Sequence, residues 1–327
     1  MAMLLDIALI VVSIGFLWKG SDMLVESAAK IAASLGISDL VIGLTVVAIG
    51  TSAPEFAVTI SAVLAGKSDI SVSNVVGSNI FNLGFILGGT AMIHEIHTTK
   101  KVVNRDGTFL ILITLLLSYF LFNPVLENFS LEQAERKFEL VRWEGAVLFS
   151  LLVIYMSYLF FKKEVMDDEE IDHSPPKAKD WFFLLLGIGG VVYGGHLLVE
   201  SASNVARAFG VSDWVIGVTI VAAGTSAPEM ATSITAAIKG KHGMAIGNLI
   251  GSDMFNLLGV LGLAGMLKET LVVSPAAQSS MIMLVVMVCV VVFFMRSDMK
   301  VSRTEGAILV GVNLVRWVYD FMGNSAG

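Results

Sequence analysis

Two glutamates of this chain close the same hexapeptide. Gly50-Thr51-Ser52-Ala53-Pro54-Glu55 recurs as Gly224-Thr225-Ser226-Ala227-Pro228-Glu229, at an offset of 174 residues. Both copies lie in strongly apolar sequence, where a carboxylate at bilayer depth costs about 2.5–3.5 kcal/mol. A matched pair at that cost implies a use, and the neighbouring residues indicate which. Proline has no amide hydrogen and clashes with the carbonyl four residues back, so carbonyls near Gly50 and Thr51 lose their helical donors. Within lipid such groups are tolerated only where they line a cavity, meet water or find other partners. Loosened carbonyls, threonine and serine hydroxyls and two carboxylates together make an oxygen donor set for a hard cation. Calcium takes about six to eight such oxygens, and the formal charge of the two glutamates balances one calcium or two monovalent ions.

A second pattern adds neutral oxygens. Asn74, Ser78 and Asn82 fall on one face of a helix, and Asn248, Ser252 and Asn256 repeat that face at the same offset. Taken singly, such residues serve as interhelical hydrogen bonds; duplicated beside two glutamates, they read as a cation-binding face. Asp253, whose counterpart is Asn79, lies one residue off the face and is open between lining the ion path and pairing elsewhere. Glu26 and Glu200 sit in a repeated Leu-Val-Glu-Ser-Ala segment and read as snorkelling surface positions, with a helix-end or gating role as the alternative. The histidines show no repeated ligand spacing, the methionines no Met-x-x-Met cluster, and Cys289, the sole cysteine, reads as a small apolar residue of a helix and excludes an intrachain disulfide. No Ser/Lys, Asp/Asp or His-Glu-x-x-His arrangement suited to hydrolysis occurs, so the expectation is not an enzyme, and no cofactor is expected.

The elements that must position these residues are membrane helices. With 327 residues, 55% hydrophobic, 15% charged, and a mean hydropathy of +0.80, the chain is too apolar for a single water-soluble core. About ten stretches are long enough to cross a bilayer: near 3–32, 40–65, 71–96, 107–123, 145–161, 181–206, 214–238, 244–267, 276–295 and 304–322. The expected partner is therefore the lipid bilayer; a net charge of −7 offers nothing to nucleic acid. The first stretch lacks a basic flank and a cleavage site and is expected to be retained as a helix. With the N-terminus outside, loops facing the cytoplasm hold twelve lysines and arginines against six on the other side, which places both termini outside. Ser38-Asp39 and Ser212-Asp213 read as helix caps.

Repetition organises these helices. Twelve of fifteen positions in 41–55 are identical in 215–229, and Glu144-Gly145-Ala146-Val147-Leu148 is echoed by Glu305-Gly306-Ala307-Ile308-Leu309 at an offset of 161. Five spans per half start the second half on the opposite side of the membrane. The expected fold is an all-α integral membrane protein of two inverted five-helix repeats, residues 1–162 and 181–327, joined by a polar cytoplasmic linker, 163–180, with broken helices 2 and 7 at the midplane.

On these motifs the chain resembles the sodium/calcium exchanger family, in a compact form like that of its prokaryotic members. Residues 50–55 with Gly77-Ser78-Asn79-Ile80-Phe81-Asn82 are similar to the family's first alpha repeat, and residues 224–229 with Gly251-Ser252-Asp253-Met254-Phe255-Asn256 to the second. The resemblance implies sodium-driven calcium antiport by alternating access, electrogenic, at the plasma membrane of a prokaryote. It implies Glu55 and Glu229 as central ligands shared by Ca2+ and Na+, with carbonyls of Thr51 and Thr225 assisting calcium. Ser52, Ser78, Ser226 and Ser252, with the carbonyls of Ala48 and Ala222, would complete flanking sodium sites, and Asn82 would line the middle. Asn256 replaces an aspartate of the potassium-dependent branch, which points to potassium independence, with Asp253 next door keeping the question open. Protons would compete for the same carboxylates. A calcium/proton antiporter is the alternative reading, and a cation channel a more distant one. Oligomeric state is not legible in the sequence.

Overall fold

The computed structural model describes residues 2–122, 138–162, 177–210, 220, 222–273 and 277–324. Its long helices are α1 (Ala2–Leu35), α2 (Asp39–Thr51), α3 (Ala53–Leu64), α4 (Ser68–Ile93), α5 (Val102–Phe122), α6 (Arg142–Lys162) and α7 (Ala178–Ala208). After these come the short α8 (Ala222–Thr225), then α9 (Ala227–Ile238), α10 (His242–Leu267), α11 (Ala277–Ser297) and α12 (Arg303–Asn324). Among the described residues seven helices are long and apolar enough to cross a membrane, or eight if the bent pair α2–α3 counts as one span. The chain is a multi-pass, helical integral membrane protein.

Two short strand pairs depart from the purely helical expectation. Ile96–His97 (β1) pairs antiparallel with Lys300–Val301 (β4), and Phe138–Val141 (β2) with Thr270–Val273 (β3). Each ribbon joins the segment after one half's third helix, α4 or α10, to the segment before the other half's last helix, α6 or α12. Those helices follow the same crossing: α12 packs on the C-terminal part of α4, and α6 on that of α10. The repeated glutamates of the last helices cap their own starts, Val141 N donating to Glu144 Oε2 at 2.9 Å and Ser302 N to Glu305 Oε2 at 2.8 Å. A carboxylate at a helix N-terminus meets orphan amides and the positive end of the dipole.

Glycines let the site-bearing helices approach backbone to backbone. A Cβ on Gly247 would lie 2.6 Å from the Leu40 carbonyl oxygen and one on Gly251 2.6 Å from that of Leu44, so α10 presses directly on α2. On the far side α1 lies along α7, where a Cβ on Gly187 would stand 2.6 Å from Leu24 N. Much of α1 outside this contact is exposed, with Leu4, Leu5, Val11, Ile14 and Trp18 facing outward. That is the apolar surface a lipid-facing helix presents.

The breaks fall where proline requires them. Pro54 stands in the first turn of α3, the one helical position where its missing N–H is harmless, and α2 and α3 meet at 50°. Ser52, at the joint, has φ −79° and ψ 9°; its counterpart Ser226, ahead of Pro228, has φ −87° and ψ 8°. Ser38 accepts from Val41 N at 3.2 Å, as its cap role requires. Ser212 and Asp213 lie outside the described residues, as does most of the linker expected at 163–180; α7 begins within it, at Ala178. Among the described residues, the segments Gly43–Val47, Asn82–Ile86, Val102–Gly107 and Phe255–Val260 widen into π-helical turns.

Candidate functional site

The two proline-broken joints meet in the core, and their polar groups bond across the halves. Ser52 Oγ donates to Glu229 Oε1 at 2.9 Å, and Ser226 Oγ donates to Glu55 Oε1 at 2.9 Å. Ser252 Oγ reaches Glu229 Oε1 at 3.5 Å. Both glutamates are 0% exposed, and the second oxygen of each, Oε2, has no hydrogen-bond partner. Two buried carboxylates with an open lone-pair face each are unstable as bare anions, because removing a charge from water without a counter-charge is costly. Bringing a cation between them removes that penalty.

The rest of the predicted set is mostly drawn to the same region. Thr51, Ser52, Asn82, Ser226, Ser252 and Asn256 are fully buried, with Ser78 and Thr225 nearly so. Asn82 opens one π-helical turn and Asn256 lies within another, so the regular third-helix face ends where the central amides begin. Such turns recur at functional positions because the extra residue redirects a side chain. The Ala48 carbonyl accepts from Ser52 N at 3.0 Å and from Thr51 Oγ1 at 3.3 Å. Ala222 opens α8.

Two members of the predicted polar face do a different job. Asn74 Nδ2 donates to the Glu55 carbonyl at 3.3 Å and to Thr59 Oγ1 at 3.0 Å; Asn248 Nδ2 donates to the Glu229 carbonyl at 3.4 Å and to Ser233 Oγ at 2.9 Å. Asn248 also accepts from Thr51 Oγ1 at 3.1 Å. These asparagines hold the third helix of each half against the glutamate-bearing helix, the interhelical role open to them from the start.

Asp253 turns inward. It is fully buried, its Oδ1 accepts from Asn82 Nδ2 at 3.0 Å, its backbone carbonyl accepts from Asn79 Nδ2 at 3.0 Å, and Oδ2 has no partner. It does not join the two glutamates as a third converging ligand: among the described residues no three His, Cys, Asp or Glu side chains form a group able to hold a metal ion. The donor set is therefore two carboxylates surrounded by hydroxyl, amide and backbone oxygens, which suits hard cations rather than thiophilic ones.

Outside the site, Glu26 does more than snorkel. Lys239, just past α9, bonds to Glu26 Oε1 at 2.8 Å and contacts Asp22 more closely still, tying α1 to α9. Three histidines with no sequence spacing in common, His94, His97 and His242, come together at one end of the bundle, with ring centroids 5.2 and 5.0 Å from His242. Cys289 is exposed on α11.

Comparison with known proteins accords with this geometry. The chain is 35% identical over 314 residues, covering 94% of it and 96% of the relative, to the putative antiporter CaxA of Alkalimonas amylolytica. It is 32% identical over 331 residues, covering 90% and 92%, to the sodium/calcium exchanger MaX1 of Methanosarcina acetivorans. A solved structure of the sodium-calcium exchanger NCX_Mj, soaked with Na+ and without Ca2+, superposes with a TM-score of 0.82 at 28% identity, covering 97% of this chain and 99% of that one. The profile of the sodium/calcium exchanger protein family matches residues 5–161 and 179–319, and the chain belongs to that family.

Proposed function

We propose that the chain exchanges Na+ for Ca2+ across a membrane by alternating access, with Glu55 and Glu229 as the carboxylates both ions share. The observation that carries this reading is the crossed pair of hydrogen bonds, Ser52 to Glu229 and Ser226 to Glu55, which leaves one open oxygen on each fully buried glutamate. The relatives' names, an antiporter and sodium/calcium exchangers, support the same ions. Because the two cations use the same oxygens, loading one excludes the other. Only a neutralised site crosses the barrier between its two exposures, so exchange is favoured over leak.

In this reading Ca2+ takes the glutamates with the carbonyls of Thr51 and Thr225. Na+ takes flanking positions made by Ser52, Ser78, Ser226 and Ser252 with the carbonyls of Ala48 and Ala222, and Asn82 and Asn256 line the middle. More than two Na+ per Ca2+ makes transport electrogenic; asparagine at both 82 and 256 favours independence from K+. Ten spans in two inverted halves, 1–162 and 181–327, are supported by the crossed strand pairs and crossed last helices. α1 and α7, packed on each other and largely lipid-facing, are the pair that slides past the site. The lysine and arginine bias favours both termini outside, in a prokaryotic plasma membrane.

The test is calcium uptake into proteoliposomes under an imposed Na+ gradient, a K+ gradient or a proton gradient, each alone. Uptake driven by Na+ alone, and slowed by mild acid as protons compete for the shared carboxylates, is the expected result. Uptake driven only by protons would replace this reading with calcium/proton antiport, and uptake needing no counter-ion with a channel.

A further inference from the structure

The central asparagines are each held by one neighbour on the opposite half. Asn82 Nδ2 donates to Asp253 Oδ1 at 3.0 Å, and Asn256 Nδ2 donates to Asn79 Oδ1 at 3.1 Å. Asn79 is itself fixed, because its Nδ2 donates to the Asp253 backbone carbonyl, which can only accept. Asn79 and Asp253 are counterparts in the two repeats, as are Asn82 and Asn256. All four side chains are 0% exposed.

An asparagine side chain presents an oxygen in one direction and an NH2 group in the other. Where the NH2 goes therefore decides what the remaining face offers. Here each NH2 group donates to an acceptor, and the amide oxygens, Asn82 Oδ1 and Asn256 Oδ1, are buried without partners. A flipped amide would present hydrogens to a cation and repel it. We infer that Asn79 and Asp253 are positioning residues that lock the amides of Asn82 and Asn256 with their oxygens toward the transported cation. The inference rests on the reading of Asn82 and Asn256 as lining the cation site, and it gives Asp253 a role distinct from that of a third ligand. The asymmetry of the pair is then unimportant to orientation: the carboxylate of Asp253 and the amide oxygen of Asn79 both accept.

The test uses the purified full-length protein, with Ca2+-dependent thermal stabilisation as the readout of affinity and the melting temperature in cation-free buffer as the readout of packing. D253L and N79L remove the acceptors. Each is expected to move the Ca2+ midpoint about tenfold upward, the weight of one buried polar group left to reorient. D253N keeps an oxygen that accepts from Asn82 and is expected to stay within about threefold of wild type, less than half of that effect on a logarithmic scale. A D253N midpoint displaced as far as that of D253L would overturn the proposal, since charge and not orientation would then be the function of Asp253. So would leucine variants that melt lower without cation yet keep the wild-type midpoint, the signature of packing alone. If D253L does not fold, N79L tests the same statement through Asn256. A wild-type protein that Ca2+ does not stabilise would overturn the cation-site reading and this inference with it.

Discussion

Ser52 reaches across to Glu229 and Ser226 to Glu55 at the same 2.9 Å, but Lys239, which binds Asp22 and Glu26, has Ala65 as its counterpart in the first half. The positions that correspond to Asp22 and Glu26 are His196 and Glu200, which face each other at 3.8 Å along one turn of α7 and reach no residue of α3 by an ion pair. The two halves thus place their glutamates and joint serines alike at the centre and differ at the rim. On the proposed function, a cation held between two carboxylates requires both to be placed alike, whereas a tie between α1 and the end of α9 would bias the proposed sliding pair toward one arrangement.

The largest expected effect tests the central half of that contrast. E55Q and E229Q should each lower Na+-dependent calcium flux at least about 100-fold, the weight of breaking a buried charge arrangement on one side. Both should still elute as folded, membrane-inserted protein on size exclusion. One variant retaining most of its flux would show that the glutamates are not equivalent. A step smaller, S52A and S226A should each raise the apparent Km for calcium about tenfold, since each removes one hydrogen bond to a buried carboxylate. The measurement is uptake against calcium concentration, and a gap wider than about threefold between them would mean that similar geometry conceals different roles.

Much of the centre was legible in sequence because its cause is local and repeated. A proline in an apolar run, a glutamate beside it and a duplicate 174 residues on fix the break, the charge and the pairing without any knowledge of packing. Seven of the expected spans, and an eighth as the bent pair α2–α3, were legible from apolar length; the span expected at 214–238 lies partly outside the described residues. Less legible were features that depend on which helix lies beside which. The polar face predicted for α4 and α10 divides into asparagines that bind backbone, Asn74 and Asn248, and asparagines whose oxygens stay open, Asn82 and Asn256. Helical spacing is the same for both kinds, and only the π-helical turns separate them. The strand pairs β1–β4 and β2–β3 are two to four residues long and join residues 129 or more apart in sequence, so neither has a period to read. Lys239 carried no signal either: a lysine after a helix looks like an ordinary solvated end until α1 brings Asp22 and Glu26 to it.

The smallest expected effect tests the rim. Partial burial works against the charge on Lys239, but hydrogen bonds and charge from Asp22 and Glu26 outweigh it, and the net result is to hold its ammonium above the ordinary lysine range. Because this value is raised, the tie is fully present below the ordinary lysine range, about 10.4, and weakens only as pH rises through the raised value. K239A should therefore change transport equally at pH 7 and pH 9. The change itself is modest, since partly exposed ion pairs contribute about 0.5–1 kcal/mol, or roughly two- to fivefold in an equilibrium. It should appear as an altered ratio of the calcium affinities measured from the two sides of the membrane, with the maximal exchange rate little changed. Transplanting the tie decides whether it sets the preference. In A65K/H196D a lysine after α3 and an aspartate on α7 take the sequence positions that Lys239 and Asp22 hold in the other half, with Glu200 already at that of Glu26. If the rim sets the bias, this variant shifts the ratio in the direction set by a tie on the second half's sliding helix, and adding K239A shifts it further the same way. Movement in only one of the two variants would tie the effect to Lys239 itself and leave the asymmetry of the rim without consequence.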